Sequence, residues 1–250
     1  CSNNFAFGSA VAARADAAWE RSTAPGKVKG RAKSKPATEK LKPEAVFSLP
    51  GVPDWLAIDE HVWVSNSPRN TVHRLDPATN TVVATVEVCA HPCSGLAAGF
   101  GSLWVPTCGD KAKGIAKTLV RVSLKDAKVE ATLPFEVPQS EGGIATGAGS
   151  VWVMTDANGT LARIDPATNK AVAEIYVAPG SYAVAFGEDA VWVTSTEKSV
   201  LTRVNARTNV VQATIPVGPR PRFLAVGEGS VVIQHVHRYL ASLEARARTV

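Results

Sequence analysis

One segment recurs along this chain and constrains it more than any other feature. Ser150-Val151-Trp152-Val153 is followed by Leu161-Ala162-Arg163-Ile164-Asp165-Pro166-Ala167-Thr168-Asn169 and then by Ala171-Val172-Ala173-Glu174-Ile175. The same pattern returns around Trp63, Trp104 and Trp192 and once more around Val232, at successive intervals of 41, 48, 40 and 40 residues. Periods of about 40 to 45 residues, each holding several short alternating apolar runs, are the mark of four-stranded propeller blades. The expected fold class is therefore all-β, a β-propeller of about five four-stranded blades over residues 45–250.

The third unit shows how the strands are read. Ile144 to Thr146 is the innermost strand, Val151 to Met154 the second, Thr160 to Ile164 the third and Lys170 to Ile175 the fourth. Phe100-Gly101, Glu188-Asp189 and Glu228-Gly229 sit where tight two-residue hairpins need positive φ. Asp76-Pro77-Ala78-Thr79-Asn80 and Asp165-Pro166-Ala167-Thr168-Asn169 join strands three and four, with Asp accepting from the turn backbone and Pro pre-setting φ. Four tryptophans at one strand-two position form a core pattern between neighbouring blades. Arg74, Arg121, Arg163 and Arg203 share one strand-three position, which points to contacts with the next blade or its turns.

The ends leave two alternatives. The last unit stops at Arg248-Thr249-Val250, where its fourth strand should begin, while Ala45-Val46-Phe47-Ser48-Leu49-Pro50 reads as a fourth strand without a blade. Either the N-terminal strand completes the last blade and closes the ring, leaving no open edge, or the chain is truncated from a larger propeller of six or seven blades.

Charge separates the chain into two parts. Residues 1–44 hold nine Lys/Arg against four Asp/Glu, and residues 45–250 hold eighteen of each, so the net charge of +5 belongs to the N-terminal segment. A neutral propeller argues against a nucleic acid partner. Residues 1–44 read as a flexible basic tail: an Ala-rich stretch from Phe5 to Glu20 able to form a short helix, then Lys/Arg alternating with Gly, Pro, Ser and Ala up to Lys42. A basic tether of this kind is a solvated linker or a segment lying against anionic lipid. No apolar run approaches the roughly 18 residues of a membrane span. Cys1, followed by Ser2, stands where a processed bacterial lipoprotein carries its lipid, and equally where a fragment would begin. Membrane attachment would come only through that lipid.

Cys93 and Cys108 have numbers that sum to 201, as opposed residues do across a hairpin turning at Phe100-Gly101. They are expected to form a disulfide, which implies an oxidising compartment. Strict alternation would make them a hydrogen-bonded pair, so the bridge requires the ladder to loosen or shift near its end. Cys89 is then left without a partner; pairing with Cys93 or binding metal are the alternatives, and three thiols with no matching His spacing argue against a zinc site.

Loops between blades and between strands two and three share one face of a propeller. That face should collect Asp54, Trp55, His91, Gln139, Glu141, Ser181, Tyr182, Arg220 and Arg222, with His235 and His237 closing the last second strand toward it. A funnel lined by aromatic, acidic, guanidinium and imidazole groups is the default ligand site.

The units built on Val-Trp-Val, Leu-Ala-Arg-Ile-Asp-Pro-Ala-Thr-Asn and Val-Val-Ala-Thr-Val resemble the YVTN/YncE-type β-propeller repeats of secreted and periplasmic bacterial proteins. A more distant similarity runs to the streptogramin (virginiamycin B) lyase propellers. The first resemblance implies a periplasmic, cell-envelope or secreted protein. The second would cast His235, His237 and Glu141 as ligands and base around a divalent metal, with Arg220 or Arg222 steadying a developing carboxylate. That family's His-Glu-His order and its Trp-Phe-Thr-Glu blades are absent from this sequence. The reading favoured is an extracytoplasmic, non-catalytic scaffold that needs no cofactor or metal and binds a small molecule or an envelope protein. A metal-assisted lyase or hydrolase is the alternative.

Overall fold

The computed structural model describes residues 43, 45–88, 90–138 and 141–235, and the backbone of 240–244. The tail with Cys1, and Cys89, Gln139 and His237, fall outside the described residues.

Five antiparallel meanders follow one another. The first comprises β1 (Pro53–Ile58), β2 (Val62–Asn66), β3 (Thr71–Asp76) and β4 (Thr81–Glu87). The second comprises β5 (Ala97–Gly99), β6 (Ser102–Thr107), β7 (Thr118–Ser123) and β8 (Val129–Leu133). The third runs through β9 (Ile144–Gly147), β10 (Ser150–Met154), β11 (Thr160–Asp165) and β12 (Lys170–Tyr176). The fourth runs through β13 (Ser181–Gly187), β14 (Ala190–Ser195), β15 (Val200–Asn205) and β16 (Val211–Pro216). The fifth has three strands among the described residues: β17 (Pro221–Gly227), β18 (Ser230–His235) and β19 (Leu240–Glu244).

The turns carry the backbone that their residues allow. Phe100-Gly101, Glu188-Asp189 and Glu228-Gly229 all have positive φ at both positions, and Asn80, Asn169 and Asn209 take the left-handed conformation before their fourth strands. Asp76 and Asp165 each accept from the backbone two residues on.

Packing is organised by the second strands. Trp63, Trp104, Trp152 and Trp192 are buried, each among the aliphatic residues of the following blade; Trp104, for instance, packs with Val151, Val153, Ala162 and Ile164. Each indole lies under the arginine directly opposite it on strand three, with guanidinium carbons 5.7, 5.1, 5.2 and 5.4 Å from the ring centres in chain order. The first three of those arginines then reach the outer turn of the next blade. Arg74 donates to the carbonyls of Leu124 and Lys125, Arg121 to Pro166 and the Asn169 side chain, and Arg163 to the Asn209 side chain. The contacts expected of these arginines, with neighbouring blades and with turns, are thus one and the same.

The N-terminal segment departs from the closure expectation. Residues 45–49 form no strand and Val46 is 82% exposed, so they are not paired beside β19. The residues that follow are held on blade one: the Asn66 side chain of β2 donates to the Pro50 carbonyl and accepts from Val52 N at 3.2 Å. Pro50 and Pro53 also have no N–H to give a ladder.

The Cys93–Cys108 disulfide is present, with a Cα separation of 5.6 Å. The ladder shift it needs is present as well. Ala97↔Trp104 and Gly99↔Ser102 keep the sum of 201, but Pro92 pairs with Thr107, Cys93 N donates to Pro106 O, and Cys108 N donates to His91 O. The cysteines therefore lie diagonally rather than directly opposed, and the bridge holds the start of blade two against the insertion that contains the Asp110-capped turn at Lys111–Lys113.

Candidate functional site

The position nine residues before the repeat tryptophan, at the start of each inner strand, decides what fills the channel. It is Gly95, Gly143 and Ala183 in blades two, three and four, but Phe223 in blade five, nine residues before Val232. In blade one Trp55 stands eight residues before Trp63, because the β1–β2 hairpin is one residue shorter: Ala57 pairs with Trp63, six residues on, where Ala185 and Ala225 pair with Trp192 and Val232, seven residues on. Two bulky rings thus face three small residues. Trp55 meets Phe223 edge-on at 5.5 Å, Tyr182 meets Phe223 at 5.9 Å, and the Trp55 ring overlies Gly142 close to Ala183. Gly142 has φ +77, and a Cβ there would lie in ordinary van der Waals contact with Trp55, Ala183 and Phe223.

A polar cluster lies on this aromatic plug. Arg222 forms an ion pair with Glu141, donates through Nε to the Tyr182 hydroxyl at 3.0 Å, and stacks over the Tyr182 and Phe223 rings at 5.4 and 4.9 Å. Burial pushes the Tyr182 hydroxyl up to about 12, helped by its hydrogen bond to Glu141. Burial alone would lower the Arg222 value, but its bonds to Tyr182 and Glu141 outweigh this and raise it. Asp54 is exposed as a residue, yet the walls of the funnel desolvate its carboxyl, and this, with the nearby Glu141 carboxylate, raises its pKa. An open cavity of ≈ 350 Å³ adjoins the cluster, lined by Tyr182, Thr196, Glu197, Arg220 and Arg222.

Of the residues expected at the mouth, Trp55, Glu141, Tyr182 and Arg222 converge, with Asp54 close enough to feel Glu141 and Arg220 beside the cavity. Three others are used by the scaffold. His91 bonds through Nδ1 to the Ser67 carbonyl, Ser181 donates to the Ala178 carbonyl, and buried His235 bonds through Nδ1 to the Pro219 carbonyl. Of the trio cast around a metal, His237 lies outside the described residues, Glu141 is held by Arg222, and His235 faces Pro219. Among the described residues no group of three or more His, Cys, Asp or Glu side chains comes together to hold a metal ion.

Phe223, Thr196 and Glu197 were not anticipated. The repeat alignment carried the signal for Phe223, since a large ring at a position that is Gly or Ala in three blades must occupy the channel.

No protein-family model matches the chain, and no curated protein matches it in sequence. Solved structures match its fold. Streptogramin B lyase superposes with a TM-score of 0.60 at 16% identity, over 81% of this chain and 72% of that one. Hydrazine synthase of Kuenenia stuttgartiensis gives 0.63 at 14% identity over 77% of this chain, and BamB from Moraxella catarrhalis 0.56 at 14% over 76%. The chain is a β-propeller. It spans 58% and 57% of the length of the last two, and at these identities the likeness is one of fold alone.

Proposed function

We propose that this chain is an extracytoplasmic propeller of the YVTN/YncE type that binds a small molecule or an envelope protein at its channel mouth and carries out no chemistry of its own. The observation that carries the reading is the convergence of Trp55, Phe223, Tyr182, Arg222 and Glu141 over a plugged channel beside an open cavity. Aromatic faces and a guanidinium fixed by two partners make a preorganised recognition surface. The same fixation disfavours catalysis, because Glu141 is engaged by a cation and so is a poor general base. The Cys93–Cys108 bridge supports an oxidising compartment. No cofactor enters this reading, and nucleic acid is a poor fit to a propeller with balanced charge.

The test is a thermal-shift screen against sugars, lactones, peptidoglycan fragments and divalent metals, since a ligand of the folded state raises Tm. A ligand whose shift disappears in Tyr182→Ala and Arg222→Ala supports the proposal. Conversion of a lactone to its ring-opened product would replace it with the lyase reading.

A further inference from the structure

The loops leading into blades one, four and five share a local design. Each carries proline and then a residue with left-handed backbone: Pro50-Gly51 at φ 108, Pro179-Gly180 at φ 67, and Pro219-Arg220 at φ 52. In each, the proline carbonyl accepts from the side chain that ends the second strand of the same blade, Asn66, Ser195 or His235, always sixteen residues on. The geometry is therefore set by the blade and not by the residue in the left-handed position. Glycine occupies that position freely; a residue with a Cβ does so against a steric penalty. The array accepts glycine at two of these sites and places arginine at the third. Strain kept at one copy of a repeated feature points to use of the side chain that causes it.

What Arg220 can do follows from its surroundings. It lines the ≈ 350 Å³ cavity, and among the described residues its guanidinium has no hydrogen-bond or ion-pair partner. Arg222, on the same wall, has Nε on Tyr182 and Nη2 on Glu141, so its charge is already matched. Glu197, also in the lining, is paired among the described residues with exposed Lys198, at 2.7 Å. Thr196 spends its hydroxyl proton on the Gly180 carbonyl at 3.1 Å. The cavity lining thus offers one uncommitted cation and one solvated acid, with the Tyr182 ring, in a volume near the lower end of small-ligand sites, which run from about 300 Å³ upward.

We infer that Arg220 anchors the carboxylate of a small amino-acid-like zwitterion in this cavity, with Glu197 facing the ligand's ammonium group. The inference rests on the binding reading above and names the ligand class for it. A guanidinium fork matches a carboxylate through two parallel hydrogen bonds. Glu197 repels a second negative charge, which disfavours dicarboxylates and phosphate.

The experiment is calorimetric titration of the protein with L-alanyl-L-alanine, propionate, succinate and inorganic phosphate. Expected is binding of the dipeptide, weaker binding of propionate, and no heat from succinate or phosphate. Arg220→Gly should lower dipeptide affinity tenfold or more while Tm stays level or rises, because glycine relieves the backbone. Glu197→Gln should weaken the dipeptide and leave propionate unchanged. The inference is overturned if none of the four probes binds, if phosphate or succinate binds as well as the dipeptide, or if Arg220→Gly binds within twofold of the parent. In each of those cases the thermal-shift screen, which uses other ligands and the Tyr182 and Arg222 variants, still decides separately whether the mouth is a binding site.

Discussion

Blades one to four and blade five are built on one pattern but held by different means. In the first four, a buried tryptophan lies under an arginine, and the arginines of the first three grip the next blade's outer turn. In blade five the equivalent pair is Val232 opposite Ser242, and Val232 is 39% exposed. The indole and guanidinium are therefore a removable module and not a requirement of the strand pattern. Blade five instead contributes Arg222 and Phe223 to the channel mouth, where the other blades place small residues or rings. Blade five thus lacks the indole clamp and gives two residues to a site whose other members, Trp55, Glu141 and Tyr182, come from the clamped blades.

The sharpest way to break this contrast is truncation at the shared position. Trp152→Ala should destabilise by about 3–5 kcal/mol in denaturant unfolding, while Val232→Ala, being partly exposed, should cost less than about 1 kcal/mol. Equal costs would mean that blade five is packed as the others are. Next in size is the staple of blade two: the Cys93→Ser, Cys108→Ser double variant closes no loop over its separation of 15 residues, and for a loop of about this length the loss is about 3 kcal/mol. Heating of the reduced protein should give the same result, and an unchanged Tm would refute it.

A finer test concerns how well each clamp is satisfied. Arg121 and Arg163 donate Nε to Ser102 and Ser150, each two residues before the repeat tryptophan, at 2.8 Å. In blades one and four that position is His61 and Ala190, and the buried Nε atoms of Arg74 and Arg203 have no partner. Ala190→Ser should therefore stabilise by about 1 kcal/mol, and Ser150→Ala should cost about 1–2 kcal/mol, as judged by denaturant midpoints. Opposite signs would show that the serine matters for packing alone.

The smallest expected effect is a pH dependence seated in blade one. His73 is buried, and burial lowers its pKa from 6.5. A base whose folded pKa is depressed contributes fully above its unfolded value and loses that contribution as pH falls through 6.5 toward the folded value. Tm should fall between about pH 7 and 5, and His73→Asn should flatten that slope. A slope untouched by the substitution would place the titration elsewhere.

Much of the fold was legible because a period fixes strand count, turns and register at once. The segment recurring around Trp63, Trp104, Trp152 and Trp192 put the indoles at one structural site, and the sum rule brought Cys93 to Cys108. The sum rule failed in detail at Pro92↔Thr107, because a register slip beyond the regular ladder leaves no trace in the alternation. Residues 45–49 read as a strand pattern, but such a pattern does not name the strand it pairs with, and they form none. At the mouth, topology placed Glu141, Tyr182 and Arg222 on one face. It could not show that they satisfy one another, since that depends on side chains meeting across blades separated by 40 or more residues, nor that His91, Ser181 and His235 turn back to nearby carbonyls.

The arginine clamps all point the same way, from one blade to the turn of its successor. A pulling force applied from the C-terminal side would therefore meet the grips in reverse order, each turn letting go before the indole that anchors its holder is uncovered. Single-molecule extension should record a staircase, with the final meander, which has Val232 in place of the indole, yielding first and at the lowest force.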